Sequence, residues 1–294
     1  MMKNVNQMGV RAAFTIVELL TVMAVIAILI GLLVPALGLV HDTAQDLQQK
    51  AQFHGINVGL ELYKTEYGNY PESNDNQWNI PKDARDDVYT GANKLAEAMV
   101  GLDLMGFHPA SEFKADGQGL DPLGGGGLIP LYVDTTLDDR EDRFVDLEKS
   151  NAFMLEEIYG TKTGSFTETS YVLCDSYAKR RTGTIEGKKT GMPILYYRAD
   201  TKFKIQDSIN YPDASIFDYR DNEEVLLLGT PDDTGYQHPL AYATDTTAFD
   251  LAIINDQIGY ANVPFRSQTF ILISAGKDGV YGNADDIYNF DKEK

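Results

Sequence analysis

The sequence predicts an α+β fold, with one long amino-terminal helix and a carboxyl-terminal antiparallel β-sheet. Three observations carry this expectation. Residues 14–67 read as one helix, apolar all round at first and then polar with apolar positions at three-and-four spacing. Residues 192–198 (MPILYYR) and 268–274 (QTFILIS) are apolar runs of strand length, rich in Ile, Tyr and Phe. Residues 285–290 (DDIYNF) supply a third, shorter run.

The amino terminus comes first. Residues 1–13 carry Lys3 and Arg11 and no acid. Phe14 to Val34 is 21 residues, nearly all apolar. At about 1.5 Å per residue this is roughly 31 Å, one bilayer core. The preceding bases predict a cytoplasmic start and an outward carboxyl end. A cleaved signal peptide has a short apolar core followed by small residues. Here Ala12 and Ala13 precede the core, so the span is expected to be retained, with any cut on its cytoplasmic side. Glu18 interrupts the apolar run, and a carboxylate in hydrocarbon is costly. Pro35, flanked by Gly31 and Gly38, predicts a kink or local melting.

Beyond the span, Ala44, Leu47, Ala51, His54, Val58, Leu62 and Thr65 keep helical spacing and are the expected packing stripe. The helix is expected to stop at Gly68, with Pro71 just beyond. From Phe14 it is about 54 residues, or roughly 80 Å. Residues 93–106 (NKLAEAMVGLDLMG) read as a short amphipathic helix. Residues 107–190 are less regular: a glycine-rich loop at 121–127, an acidic stretch at 137–149 and a basic cluster at 179–189. The stretch 200–265 reads as loops with short elements.

Composition limits function. The chain has 44 acids against 25 bases, a net charge of −19, so no nucleic-acid partner is expected. With 17 Tyr and 13 Phe it has ample material for a core. The single cysteine, Cys174, rules out a disulfide within the chain and a zinc cysteine cluster. No HExxH or GxSxG motif is present, and His41, His54, His108 and His238 are far apart in sequence, so no enzyme is expected.

The last loop, SAGKDGVYGNADDI (274–287), spaces Gly276, Gly279 and Gly282 by three and holds Asp278, Asp285 and Asp286. Calcium wants six to eight oxygens on a chain free to wrap. Asp-Gly and Gly-Asn are also ordinary turn formers, so spacing alone leaves turn and ion site both open.

The order of basic leader, small residue, FTIVELL and long apolar helix resembles the class III signal of type IV prepilins and type II secretion pseudopilins. LELYKTEYGNYP resembles the end of the long helix in major pseudopilins, and 93–106 their following short helix. The resemblance implies a pilin-like fold. It implies a cut by prepilin peptidase between Ala13 and Phe14, with methylation of the new amine. Alanine stands here where the family usually has glycine. Glu18 stands at the family's acidic position and would neutralise a neighbour's terminal amine, setting subunit register. Pro35 stands at its helix-bending position. The carboxyl-terminal run resembles the calcium loop of major pseudopilins, which makes Asp278, Asp285 and Asp286 the implied side-chain ligands.

The implied organisation is a leader (1–13), a helix (14–67, with 14–34 in the membrane) and an extracytoplasmic domain (68–294) with a large insertion at about 107–191. The implied function is a structural subunit of a type II secretion pseudopilus or related filament. It would self-assemble as a helical filament, with the inner-membrane assembly platform and minor pseudopilins as partners. Its place would be the bacterial inner membrane, single-pass, with the domain in the periplasm or outside. The alternatives are a type IV pilin for adhesion, motility or DNA uptake, and a membrane-anchored hydrolase or binding module.

Overall fold

The computed structural model describes residues 15–74, 88–121, 124–160, 166, 170–177, 180–181, 189–258 and 262–292. Its layout is α+β, a long apolar amino-terminal helix with small antiparallel sheets. Two compact units divide at 45/46.

Helix α1 spans Ile16–Tyr67. It runs unbroken through Pro35, so the expected local melting is absent from this structure. The first unit is the part of α1 up to Gln45 with the residues before it. Every side chain there from Ile16 to Val40 is exposed. This is one helix long and apolar enough to cross a membrane.

Along the later part of α1 the expected stripe is corrected. Ala44, Leu47, Ala51, His54, Val58, Leu62 and Thr65 are all exposed. The buried face is Gln49, Phe53, Ile56, Gly59, Leu60 and Tyr63. At about 100° per residue the two rows lie on opposite sides of the helix. The buried row carries the larger side chains and removes more apolar area from water. Gly59 is required by close approach: a Cβ there would meet Met99 Sδ at 2.8 Å and Val145 Cγ2 at 2.9 Å.

Helix α2 (Gly91–Val100) is shorter than expected, and it is buried all round rather than amphipathic. Gly101, at φ +86°, ends it. A Cβ there would lie 2.1 Å from Gly106 O. The insertion folds in small pieces. β1 (Gln118–Leu120) pairs antiparallel with β2 (Leu128–Pro130) across the glycine-rich loop. A 3-10 turn (Asp134–Asp139) and α3 (Leu147–Ser150) overlap the two ends of the acidic stretch. β3 (Ala152–Met154) leads into α4 (Leu155–Tyr159) and pairs with β4 (Tyr171–Leu173). In the basic cluster, β5 (Arg180–Arg181) pairs with β6 (Lys189–Thr190).

The main sheet is built from the three expected runs: β7 (Leu195–Arg198), β8 (Phe270–Ser274) and β9 (Ile287–Tyr288), with β8 central. Leu195 pairs with Ile273, Tyr197 with Ile271, and Ile273 with Tyr288. Alternation places Tyr196, Phe270 and Leu272 in one core with Phe53, Ile56, Leu60 and Met99. It places Leu195, Tyr197, Ile271 and Ile273 in a second core with Val225, Phe249 and Ile253. Both faces are therefore covered, which is why these runs read as continuously apolar. The second cover comes from α5 (Glu223–Leu227) and α6 (Ala248–Ile253), in the stretch expected to be mostly loop.

Candidate functional site

The first predicted site is the head of α1. Ala13 and Phe14 lie outside the described residues. Glu18 sits in the first helical turn. Its Oε2 accepts from Thr15 N–H at 2.9 Å and from Thr15 Oγ1 at 2.8 Å, while Glu18 N–H donates to Thr15 Oγ1 at 3.2 Å. This is a reciprocal capping box. Its sequence signature, Thr-x-x-Glu before an apolar run, was legible in TIVE and gives Glu18 a local role as well as the implied intersubunit one. In this single chain the carboxylate is exposed and finds its partners within one turn.

The second predicted site is the loop from Ser274 to Asp286, which joins β8 to β9. Its glycines are conformational requirements. Gly276 has φ +63° and Gly282 φ +100°. A Cβ at Gly276 would lie 2.1 Å from Asp285 O, and one at Gly282 would lie 2.4 Å from Leu240 N. The three aspartates share this loop but serve it separately. Asp278 accepts from Val280 N–H and Asn283 Nδ2, each at 2.8 Å. Asp285 Oδ2 accepts from Asp278 N–H at 3.0 Å. Asp286 Oδ2 accepts from Gly282 N–H at 2.8 Å and Tyr288 OH at 3.1 Å, and its Oδ1 is buried with no partner. Burial pushes the Asp286 carboxyl up to about 7. Among the described residues no three His, Cys, Asp or Glu side chains come together as a metal-holding group. The loop brings the three carboxylates into one hairpin without converging them on one point.

Sequence reasoning missed the residue that anchors this loop. Asp175, just past β4, is fully buried. Its Oδ2 accepts from Ser274 Oγ at 2.9 Å; its Oδ1 accepts from the Tyr177 and Met192 N–H groups, each at 3.2 Å. Ser274 Oγ in turn accepts from Gly276 N–H at 3.2 Å. Asp175, Gly191, Gly276 and Asp278 line a cavity of about 100 Å³. Burial pushes the Asp175 carboxyl up to about 7. Other buried acids stand elsewhere, Glu97 and Asp221 among them. Glu97 on α2 accepts from Tyr89 and Tyr132 hydroxyls at 2.7 Å and from Ser111, tying the insertion to the core, and burial raises its pKa. Asp221 accepts from Ser73, and burial pushes it up to about 8.

The histidines carry no shared site. His41 and His54 are exposed on α1. His238 is fully buried; its Nδ1 accepts from Tyr281 N–H at 3.2 Å and its Nε2 lies 3.0 Å from Gly229 O, which fixes Nε2 as the protonated nitrogen. Comparison with known protein families, with curated proteins and with solved structures finds no match.

Proposed function

We propose that this chain is a structural subunit of a type II secretion pseudopilus or related type IV pilus-like filament. It is made as a prepilin, cut between Ala13 and Phe14, and assembled through its amino-terminal helix. The observation that supports this most is the first half of α1. Its side chains are exposed from Ile16 to Val40, and no ionisable residue occurs from Leu19 to Val40. Such a surface needs lipid, neighbouring helices, or each in turn. In this reading Glu18 leaves its local cap to meet a neighbour's terminal ammonium, because both charges are costly alone in an apolar surrounding. Prepilin peptidase, an inner-membrane assembly platform and minor pseudopilins act on it in turn.

The direct test is intact-mass measurement of chain extracted from membranes that hold prepilin peptidase. The expected mass begins at Phe14 and includes one methyl group. A mass that retains residues 1–13 sinks the proposal. Glu18→Ala is expected to leave insertion and cutting intact and to suppress filament yield.

Calcium belongs to the same reading. Asp278, Asp285 and Asp286 are the residues that would hold it, and the unpartnered Asp286 Oδ1 is the atom that favours an ion there. In the structure, Asp278 and Asp285 are engaged by the loop itself. Binding has to draw them off those partners. Calcium at a hundredfold excess over Kd is expected to stabilise the detergent-extracted chain by about 2.7 kcal/mol. Magnesium, which resists dehydration, is expected to do much less. Equal melting shifts with calcium, magnesium and sodium at matched ionic strength would remove the ion from the proposal.

A further inference from the structure

The outward face of α1 in the second unit is a row left exposed by the described residues. Leu47, Ala51, Val58 and Leu62 lie along it, with Leu47 63% exposed and Leu62 52% exposed. No carboxylate occupies a position of the row from Leu47 to Thr65, in a chain whose net charge is −19. Beside it runs a groove of about 470 Å³. One wall is α1, through Gln48, Ala51, Gly55 and Val58; the other is the insertion's segment 143–151. The helix glycines show how the groove is made. Gly59 is covered by Val145 and by the backbone carbonyl of Phe144. One turn earlier, nothing lies within 4 Å of where a Gly55 Cβ would stand. The segment that seals the helix at Gly59 has moved away at Gly55.

We infer that this groove, with the row beside it, is a docking surface for a second copy of this chain, and that the insertion segment 143–151 exists in part to form its outer wall. The inference rests on the filament reading and names the surface that reading leaves unspecified. Two arguments choose the occupant. Lipid does not fit, because Asp46, Lys50, Glu61 and Glu66 stand on the same turns of the helix and are exposed, and bilayers exclude such charges. Charge permits self-association here. The groove's rim carries Arg143 and Lys149 against Asp146 and Glu148, so it is neutral and of mixed sign. Two copies repel over acidic surface, and a strip whose charges balance is where they approach at low cost.

The test uses the full chain in membranes of cells that produce it. Cys174 is buried, so Val58→Cys supplies one accessible thiol. A thiol-reactive benzophenone is attached there, irradiated, and the adducts are mapped by mass spectrometry. Leu251→Cys, at an exposed position on α6, is the control. Expected are dimers of the chain from position 58, joined to residues 44–65 or 143–151 of the second copy, and about tenfold fewer from position 251. Adding Lys149→Glu is expected to reduce the position-58 dimers, since it makes the rim acidic. Adducts to lipid, to a different protein, or to other parts of a second copy overturn the inference, and so does a yield no greater than the control. If that happens while filaments still form and Glu18→Ala still suppresses them, the docking surface fails and the filament reading stands.

Discussion

The two halves of α1 are continuous in sequence and opposite in what surrounds them. From Leu19 to Val40 the helix is apolar on every side and exposed on every side. From Asp46 to Tyr67 it is mixed, and Phe53, Ile56 and Leu60 are almost wholly buried. The half richer in apolar residues is the one that its own chain leaves uncovered. Burial within the chain follows from one-sidedness, because a helix with a single heavy face has one way to dock. A helix apolar all round has no preferred face and needs a surrounding medium.

The comparison is broken most severely at the buried row. Phe53→Ala is expected to cost about 3–5 kcal/mol and Leu60→Ala about 2–5 kcal/mol. Leu62→Ala, on the opposite face, is expected to change stability by about 0.5 kcal/mol or less. Thermal unfolding of the detergent-extracted chain measures all three. Similar losses at Leu60 and Leu62 would mean that the buried face has been assigned wrongly.

A smaller effect is expected at the glycines. Gly59→Ala pushes a methyl group into Met99 and Val145 and is expected to cost about 1–3 kcal/mol. Gly55→Ala has open space and a helical backbone, so a gain of about 0.5–1 kcal/mol is expected. A loss at position 55 would show that the groove is filled even in the isolated chain.

An effect of another kind is expected on pH dependence, and it sharpens the contrast. The apolar half has nothing to titrate between Leu19 and Val40. The second unit holds Asp175 and Asp221, whose carboxyls burial raises from 3.8 to about 7 and about 8. A raised acid favours the folded state while it stays protonated there. That stability is full below the ordinary carboxylate range and is lost as pH climbs through the folded values. The melting point of the second unit is therefore expected to fall between pH 5 and pH 8. Asp221→Asn is expected to flatten the upper part of that slope. A melting point that rises over the interval would overturn the assignment of these groups as buried acids.

What was legible in the sequence follows the same physics. The span showed because 21 nearly unbroken apolar residues exceed what one face of a core helix needs and match the thickness of a bilayer. The strands at 195–198 and 270–274 showed because a sheet covered on both faces leaves no polar alternation to confuse the reading. The buried face of α1 did not show, because two rows of equal periodicity stand on opposite sides and periodicity cannot choose between them. Side-chain size would have: Phe53, Ile56, Leu60 and Tyr63 outweigh Ala51, Val58 and Leu62. The second cover of the sheet was missed because α5 and α6 are five and six residues long, too short to show a period. At the loop, the glycines were readable as turn-formers, whereas Asp175 anchors it from about 100 positions upstream and leaves no local signal. Glu97 is similar, since Ser111 and Tyr132 reach it from the insertion.

The attachment of α1 to its domain also has a mechanical consequence. Phe53, Ile56, Leu60 and Tyr63 grip along the helix axis, and Gln52 Nε2 adds hydrogen bonds to the carbonyls of Ser150 and Cys174. A pull along that axis loads these contacts together, in shear. They share the force instead of failing one after another, as they would if the helix were peeled away sideways. A tensile load on the helix would thus meet the domain where it is hardest to detach, and a sideways load where it is easiest.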